Sequence, residues 1–466
     1  MFNQSEHEVV LVNAPADKIR EEIYDRPSYP CISIAYLGAY LEKHAGITPA
    51  LVDGKLARLS ADQTMDTILS FKPKMVGFTA FTHMIHTVSR LATRLKQQQP
   101  DLILVLGGFH ASFLPKETLI EFPVFDYLVV GEGEIAFSKL VQYLLNGSVE
   151  PRIPGVWYKN NELIVEGGRG EITPDLDDFS EPGWHLYEQE IIKNYVDYFP
   201  VITQRGCPFH CNFCSRPYGR HVRKRSPALV VDEIEKNLSV YVKHKFTFYD
   251  ETFTVNKKHV EEICQKIIDR QLLCDWTSMV HANTIDEHVV QLMKHAGCRE
   301  VGIGVESGNQ EIMAAMQKGI TLEKIAIAFK IFKKIKIGNG AFFIIGHPNE
   351  TFQSCLDTIR FAGKLNADRT VFGIMVPYPG TEVFNMAVQG THGYKKLSTN
   401  WDDYNKQIGN AIELEHLSRR TMETFQTVGY LYVYLVNFRF VQLGSLLWKQ
   451  KIRVYNVLKK IITGRL

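Results

Sequence analysis

The chain has 466 residues, 45% of them hydrophobic and 22% charged, with a formal net charge of +2. This is ordinary globular composition, and at roughly 100–200 residues per domain it suggests two or three domains. The near-zero balance gives no electrostatic case for a nucleic-acid partner.

The N-terminus, MFNQSEHE, has no basic region, and the first apolar run, Val9 to Val12, is too short for a secretory signal core. A cytosolic protein is therefore expected. EVVLVNAP reads as a strand, ISIAYLGAYLEKHAG as a helix with a Gly stop, and PALVDG and KMVGFTAFT as strands. TVSRLATRLKQQQP is a helix ended by Pro100. LILVLGGFH and FDYLVVGEGE are strands running into Gly-rich turns, and a helix follows from about Ile135 to Leu145. This alternation predicts a doubly wound, Rossmann-like α/β domain over 1–150, with a parallel sheet and ligands bound beyond the carboxyl ends of its strands. Residues 151–195 change character: PRIPGVWYKNNELIVEGG suggests a hairpin and TPDLDDFSEPGWHLY an acidic linker. From 196 to 387 a second βα series runs through VITQRG, KFTFYDE, WTSMVHA, REVGIGVES, GAFFIIGHP and TVFGIMVPYPG. Six such units predict a partial (β/α)6 barrel. Residues 388–466 read as a helical C-terminal region with a basic tail.

Three of the eight cysteines fall within eight residues, in RGCPFHCNFCSRP, and the other five are scattered. This is no disulfide framework, and the scattered five read as buried small hydrophobes. Cys207, Cys211 and Cys214 are spaced by four and three residues, just after the first strand of the second series. Three thiolates can hold an iron–sulfur cluster and leave its fourth iron open to a substrate. The competing reading is structural zinc with His210 or a distant fourth ligand, but such sites usually pair two CxxC knuckles and no second knuckle is present.

The motif, with the strand ends that follow it, resembles the radical SAM superfamily. The resemblance implies a [4Fe–4S] cluster on Cys207, Cys211 and Cys214. S-adenosylmethionine (SAM) would bind the open iron and split into methionine and a 5′-deoxyadenosyl radical. It also implies adenine contact near Phe213, polar contacts to SAM from Tyr249, Asp250 and Glu251, and a ribose contact at Glu306 and Ser307. The loop from Gly346, GHPNET, would lie near the adenine. The family often has an Arg near the third barrel strand, where this chain reads Val280-His281-Ala282-Asn283.

A doubly wound domain in front of such a barrel resembles the cobalamin-binding subgroup, which includes anaerobic magnesium-protoporphyrin ester cyclases, hopanoid-associated members and methyltransferases. PCISIAYLGAYLEKHAG, VGFTAFTHMI, LGGFHASFLPKE and DYLVVGEGE carry this likeness. It implies a bound cobalamin, with Thr79, Thr82, Gly107, Gly108, His110, Gly131, Glu132 and Gly133 at the strand-end turns as candidate contacts. Gly107-Gly108 would let a large flat ligand approach the backbone. The DxHxxG motif that supplies an axial His elsewhere is missing: VDGKLARLS, after Asp53, has no His.

The resemblance implies an enzyme that cleaves SAM reductively and methylates an unactivated carbon of a secondary metabolite, lipid or tetrapyrrole. An oxidative, ring-forming cyclase is the second reading, and a non-catalytic corrinoid or iron–sulfur sensor the third. A methylthiotransferase would need a second cysteine trio, and Cys31 stands alone before Cys207. The expected partners are a small-molecule or lipid-like substrate and an external low-potential donor of flavodoxin or ferredoxin type. Aromatic residues before a tail rich in Lys and Arg suggest either helices capping the barrel or peripheral contact with the inner face of a membrane.

Overall fold

The computed structural model describes residues 6–15, 27–146, 152–179, 181–405 and 410–449. The chain divides into two compact units, Met1–Gly206 with Arg216–Thr247, and Cys207–Ser215 with Phe248–Leu466.

The first unit is built on β1 (Val9–Asn13), β2 (Ala50–Asp53), β3 (Met75–Thr79), β4 (Ile103–Gly107) and β5 (Tyr127–Val129). These pair in parallel in the order β2-β1-β3-β4-β5, with Val10 opposite both Ala50 and Val76. Val9, Val10, Leu11 and Val12 are all within 1% of full burial. An uninterrupted apolar run is what a parallel strand covered on both faces requires. The doubly wound fold is as expected. The hairpin expected from Asn160-Asn161 forms as β6 (Val156–Asn160) and β7 (Leu163–Val165), and it continues the same sheet antiparallel to β5, with Tyr127 opposite Tyr158.

The expected strand VITQRG divides in two. β8 (Phe199–Val201) joins the second sheet, while β9 (Gln204–Arg205) leaves it to pair antiparallel with β10 (Arg223–Lys224). The Arg225 amide donates to the Thr203 carbonyl at 2.9 Å, drawing the chain away just where the strand had been expected to continue.

The second sheet adds β11 (Lys245–Phe248), β12 (Asp275–Val280), β13 (Cys298–Glu306), β14 (Gly338–Ile345) and β15 (Arg369–Ile374), in the order β15-β14-β13-β12-β11-β8. From β12 to β15 the pairing is parallel throughout. This is the expected six-stranded partial barrel. The C-terminal region is less purely helical than its sequence suggests. β16 (Tyr394–Leu397) and β17 (Ile412–Leu414) form an antiparallel pair. Tyr394 is buried and its hydroxyl donates to the Gly346 carbonyl at 3.1 Å, which ties this pair to the loop after β14. The helix Arg419–Val436 then packs on β15 and the helix Phe352–Leu365. Gln426 Nε2 donates to the Phe372 carbonyl at 2.5 Å, and Phe352 meets Phe425 edge-on at 4.8 Å. Among the described residues no helix is long and apolar enough to cross a membrane. Most of the basic tail, from residue 450 onward, lies outside the described residues.

Candidate active site

Cys207, Cys211 and Cys214 lie on one irregular loop, none of them in a disulfide and all half-buried. A loop without ladder hydrogen bonds must be fixed from outside. Asn212, between the cysteines and 1% exposed, does this from within the second unit. Its amide donates to the Met316 carbonyl at 3.1 Å, its Nδ2 to the Ala315 carbonyl at 2.9 Å, and its own carbonyl accepts from the Val383 amide at 3.2 Å. Phe209 stacks on His281 at 3.8 Å, and Phe213 meets His347 edge-on at 5.7 Å. Cys207 Sγ lies 3.9 Å from Thr252 Oγ1.

The donor set bears on the two metal readings. Among the described residues no three His, Cys, Asp or Glu side chains converge tightly enough to hold a single ion. A zinc ion needs such convergence. In a polynuclear cluster each thiolate takes a different iron, so three cysteines spaced along one loop fit that group. Burial pushes the Cys211 thiol up to about 11, with the Lys318 ammonium pulling against it; ligation deprotonates such a thiol outright.

Lys318 was not singled out by the sequence, because a Lys before a Gly in QKGI looks like any surface turn. It is buried, its Nζ 2.6 Å from Glu306 Oε1, 2.5 Å from the Gly304 carbonyl and 5.9 Å from the Phe213 ring centroid. Glu306 ends β13 at a register shift, with φ +67, an unusual conformation for a non-glycine residue. Its carboxylate is thus engaged by Lys318. Ser307 is fully buried, its hydroxyl 3.2 Å from Thr358 Oγ1 and accepting from the Asn309 amide. Beyond β11, Tyr249 is half-exposed, Asp250 buried and Glu251 half-buried. His281 and His347 are buried, and burial, with Lys318 adding to it, pushes each imidazole down to about 3. Neither His347 nitrogen makes a well-formed hydrogen bond, although the Glu306 carbonyl is close enough to act on the ring.

Gly346 follows β14 with φ +102. Its amide and that of His347 both donate to Glu350 Oε2, the latter at 3.0 Å, so the GHPNET loop is held by its own carboxylate.

In the first unit Thr79 and Gly107 end β3 and β4, Gly108 and Gly131 lie in the turns after β4 and β5, and Gly133 opens the next helix. Gly108 has φ +91, and an added Cβ would lie 2.8 Å from the Ala80 amide and carbonyl. The Gly131 amide donates to Ser112 Oγ at 3.0 Å. Thr82 is buried. His110 and Glu132 do not face outward. His110 is 1% exposed, edge-on to Phe122 at 6.0 Å, and burial pushes its imidazole down to about 4. Glu132 is buried in ion pairs with Arg205 and Arg223. The surface next to the Gly107-Gly108 turn is instead aromatic: Phe81, 51% exposed, stacks on Phe109 at 5.1 Å. A flat hydrophobic surface beside bare backbone suits a corrin. Where an axial-His motif would stand, the Asp53 carboxylate accepts from the Cys31 and Leu56 amides and Asn13 Nδ2, so it is a loop anchor. Of the scattered cysteines, Cys264, Cys274, Cys298 and Cys355 are buried as expected, whereas Cys31 is half-buried.

Residues 201–362 match the family model of the radical SAM superfamily and residues 26–141 that of the B12 binding domain. An uncharacterized methyltransferase of Pyrococcus horikoshii is 31% identical over 430 residues, which is 92% of either chain. The anaerobic magnesium-protoporphyrin IX monomethyl ester cyclase of Rubrivivax gelatinosus is 32% identical, and the match spans 77% of this chain and 66% of the cyclase. The solved structure of the radical SAM methyltransferase TsrM from Kitasatospora setae shares the fold, with TM-score 0.71 at 17% identity over 92% of this chain and 89% of that one.

The chain belongs to the radical SAM superfamily, in the subgroup that carries a B12-binding domain. It is a cobalamin-dependent radical SAM enzyme, and the cofactors that go with this membership are a [4Fe–4S] cluster, SAM and cobalamin.

Burial pushes the Glu350 carboxyl up to about 7 from an ordinary value of 4.5. A raised carboxyl pKa contributes stability that is present below 4.5 and lost as pH rises through 7. Denaturant melts of the apo-protein across that window should show stability falling with pH, and Glu350→Gln should flatten that fall. Identical pH slopes in both proteins would contradict the assignment.

Proposed function

We propose that the enzyme holds its cluster on Cys207, Cys211 and Cys214, binds SAM over that loop, seats cobalamin at the strand-end turns of the first sheet, and methylates an unactivated carbon. The observation that carries this reading is the cysteine loop itself: three half-buried thiols, none in a disulfide, spaced by four and three residues on one irregular segment. When bound, the cluster supplies the electron that splits SAM, and cobalamin carries the methyl group to the substrate.

The chain's residues then have distinct tasks. Phe209, Phe213, His281 and His347 exclude water around the loop, and the two imidazoles stay neutral at working pH, so they add no charge there. Lys318, held by Glu306, places a buried positive charge beside thiolates that become negative on ligation. Tyr249, Asp250 and Glu251 are the polar groups at the end of β11 for the SAM amino acid moiety, and the backbone of Phe213 and Gly346 borders the adenine. Thr79, Gly107, Gly108, Gly131 and Gly133, with the Phe81–Phe109 surface, receive the corrinoid. The substrate class is a secondary metabolite, a lipid or a tetrapyrrole, and the electron comes from an external flavodoxin or ferredoxin.

Methyl transfer is favoured because the methyltransferase relative matches over 92% of its length and the cyclase over 66%. Ring-forming oxidation is the second reading, supported by 32% identity to that cyclase. Anaerobically reconstituted enzyme given SAM, cobalamin and a strong reductant should form 5′-deoxyadenosine together with S-adenosylhomocysteine, the latter only with cobalamin. Cys211→Ala should abolish the deoxyadenosine. Deoxyadenosine alone would move the assignment to the cyclase reading, and neither product from cluster-loaded protein would refute both.

We also propose peripheral membrane contact through the C-terminal region. Phe438, Phe440, Val441 and Trp448 are 62–85% exposed around the helix Phe440–Lys449, and Lys451, Arg453, Lys459, Lys460 and Arg465 follow in sequence. Flotation with vesicles containing anionic lipid should carry the protein, and F438S/W448S should release it. Equal flotation of wild type and variant, or none of the wild type, would overturn this.

A further inference from the structure

The loop that carries the cysteines has a neck. Residues 206–222 lie between β9 and β10, which are joined by just two residue pairs, Arg205 opposite Arg223 and Gln204 opposite Lys224. A ribbon this short is not stable alone. The chain closes it tightly: Gly206 has φ +103, and a Cβ there would run into the His221 carbonyl.

Both arginines of the neck are buried, with side chains 4% and 3% exposed, and both end on Glu132. Arg205 Nη1 lies 2.8 Å from Glu132 Oε2, and its Nη2 lies 2.5 Å from Glu134 Oε1. Arg223 Nη2 bonds Glu132 Oε1, while its Nη1 donates to Oε2 at 3.2 Å and to the Thr173 carbonyl at 2.7 Å. One carboxylate therefore bridges two residues that face each other across the ribbon. The Arg205 guanidinium is further enclosed by Phe179 at 4.8 Å, Tyr218 at 4.9 Å and Tyr36 at 5.3 Å. Glu132 lies in the turn after β5 and Glu134 in the first turn of the helix Gly133–Asn146 that follows, both within the stretch that matches the B12 binding domain, and Ser112 holds the turn through the Gly131 amide.

Buried ion pairs are a poor source of net stability, since apolar residues of similar size often do as well. What four buried charges do supply is a fixed geometry, and here they fix it at the base of the cysteine loop. We infer that Glu132 and Glu134 are positioning residues for the cluster: the turn after β5 clamps the neck of the loop, and through it the spacing of the three thiolates. This rests on the cluster assignment proposed above.

The test compares full-length wild type, Glu132→Gln and the milder Glu134→Gln, which leaves Glu132 bridging. Hydrogen exchange is followed in the apo-proteins. Iron and sulfide content, and the rate of cluster bleaching in air, are followed after reconstitution. Glu132→Gln should speed exchange in 203–225 by roughly tenfold or more, with little change elsewhere. It should also hold less iron and bleach several times faster. Glu134→Gln should do the same more weakly. Unchanged exchange at the neck, or a cluster held as well as in wild type, would overturn the inference. So would exchange that rises uniformly, because the network would then be an ordinary part of the fold. A wild-type protein that takes up no iron would refute the cluster assignment, and the clamp as a cluster device with it; the apo exchange data would still say whether the neck is clamped.

Discussion

Cys207, Cys211 and Cys214 sit on a loop that has no helix or strand of its own, and the proposed cluster depends on the contacts that fix this loop. A regular element fixes its side chains through its own ladder; the segment from Gly206 to Val222 has no ladder and is fixed from outside. Asn212 spends its amide and side-chain nitrogen on the adjacent carbonyls of Met316 and Ala315, and its carbonyl on the Val383 amide. The arginines at the neck meet a shared carboxylate. Such anchoring suits chemistry in which a metal cluster and a reactive intermediate must sit at a set distance.

Charge around the loop is equally controlled. Lys318 and Glu306 neutralise each other in the interior, and two histidines that would be half-protonated in water are kept neutral by burial. The polar atoms of the Gly346 turn are turned inward onto Glu350. The side chains described around the cysteines are thus aromatic, uncharged or paired in charge. A carbon radical needs such conditions, since water and stray protons open competing reactions. The first unit follows a different plan: glycine turns packed closely on their neighbours and a stacked aromatic pair lie at the strand ends, where we propose that cobalamin is seated, and its buried polar groups anchor loops.

The cysteine trio, the alternation of strands and helices, and the doubly wound sheet followed by a partial barrel were legible because each is a local pattern: spacing, alternation, or a Gly-rich turn after an apolar run. The strand read through VITQRG was only half right, because the Thr203 carbonyl is claimed by Arg225, more than twenty residues away. Glu132 read as a crevice residue because GEGE looks like a ligand turn, and nothing local shows that Arg205 and Arg223 will reach it. Lys318 and the Phe81–Phe109 pair were missed for the same reason, since their meaning lies in long-range packing. His110 looked available after two glycines, yet its ring turns into the core against Phe122.

The central claim is a cluster with three cysteine ligands and one iron left for SAM. Electron paramagnetic resonance of the anaerobically reduced protein tests it most directly, recorded with and without SAM. The account predicts a [4Fe–4S]⁺ signal that changes shape when SAM is added and that is absent when Cys207, Cys211 and Cys214 are replaced by Ala. A signal indifferent to SAM, or one that survives the triple replacement, would contradict it.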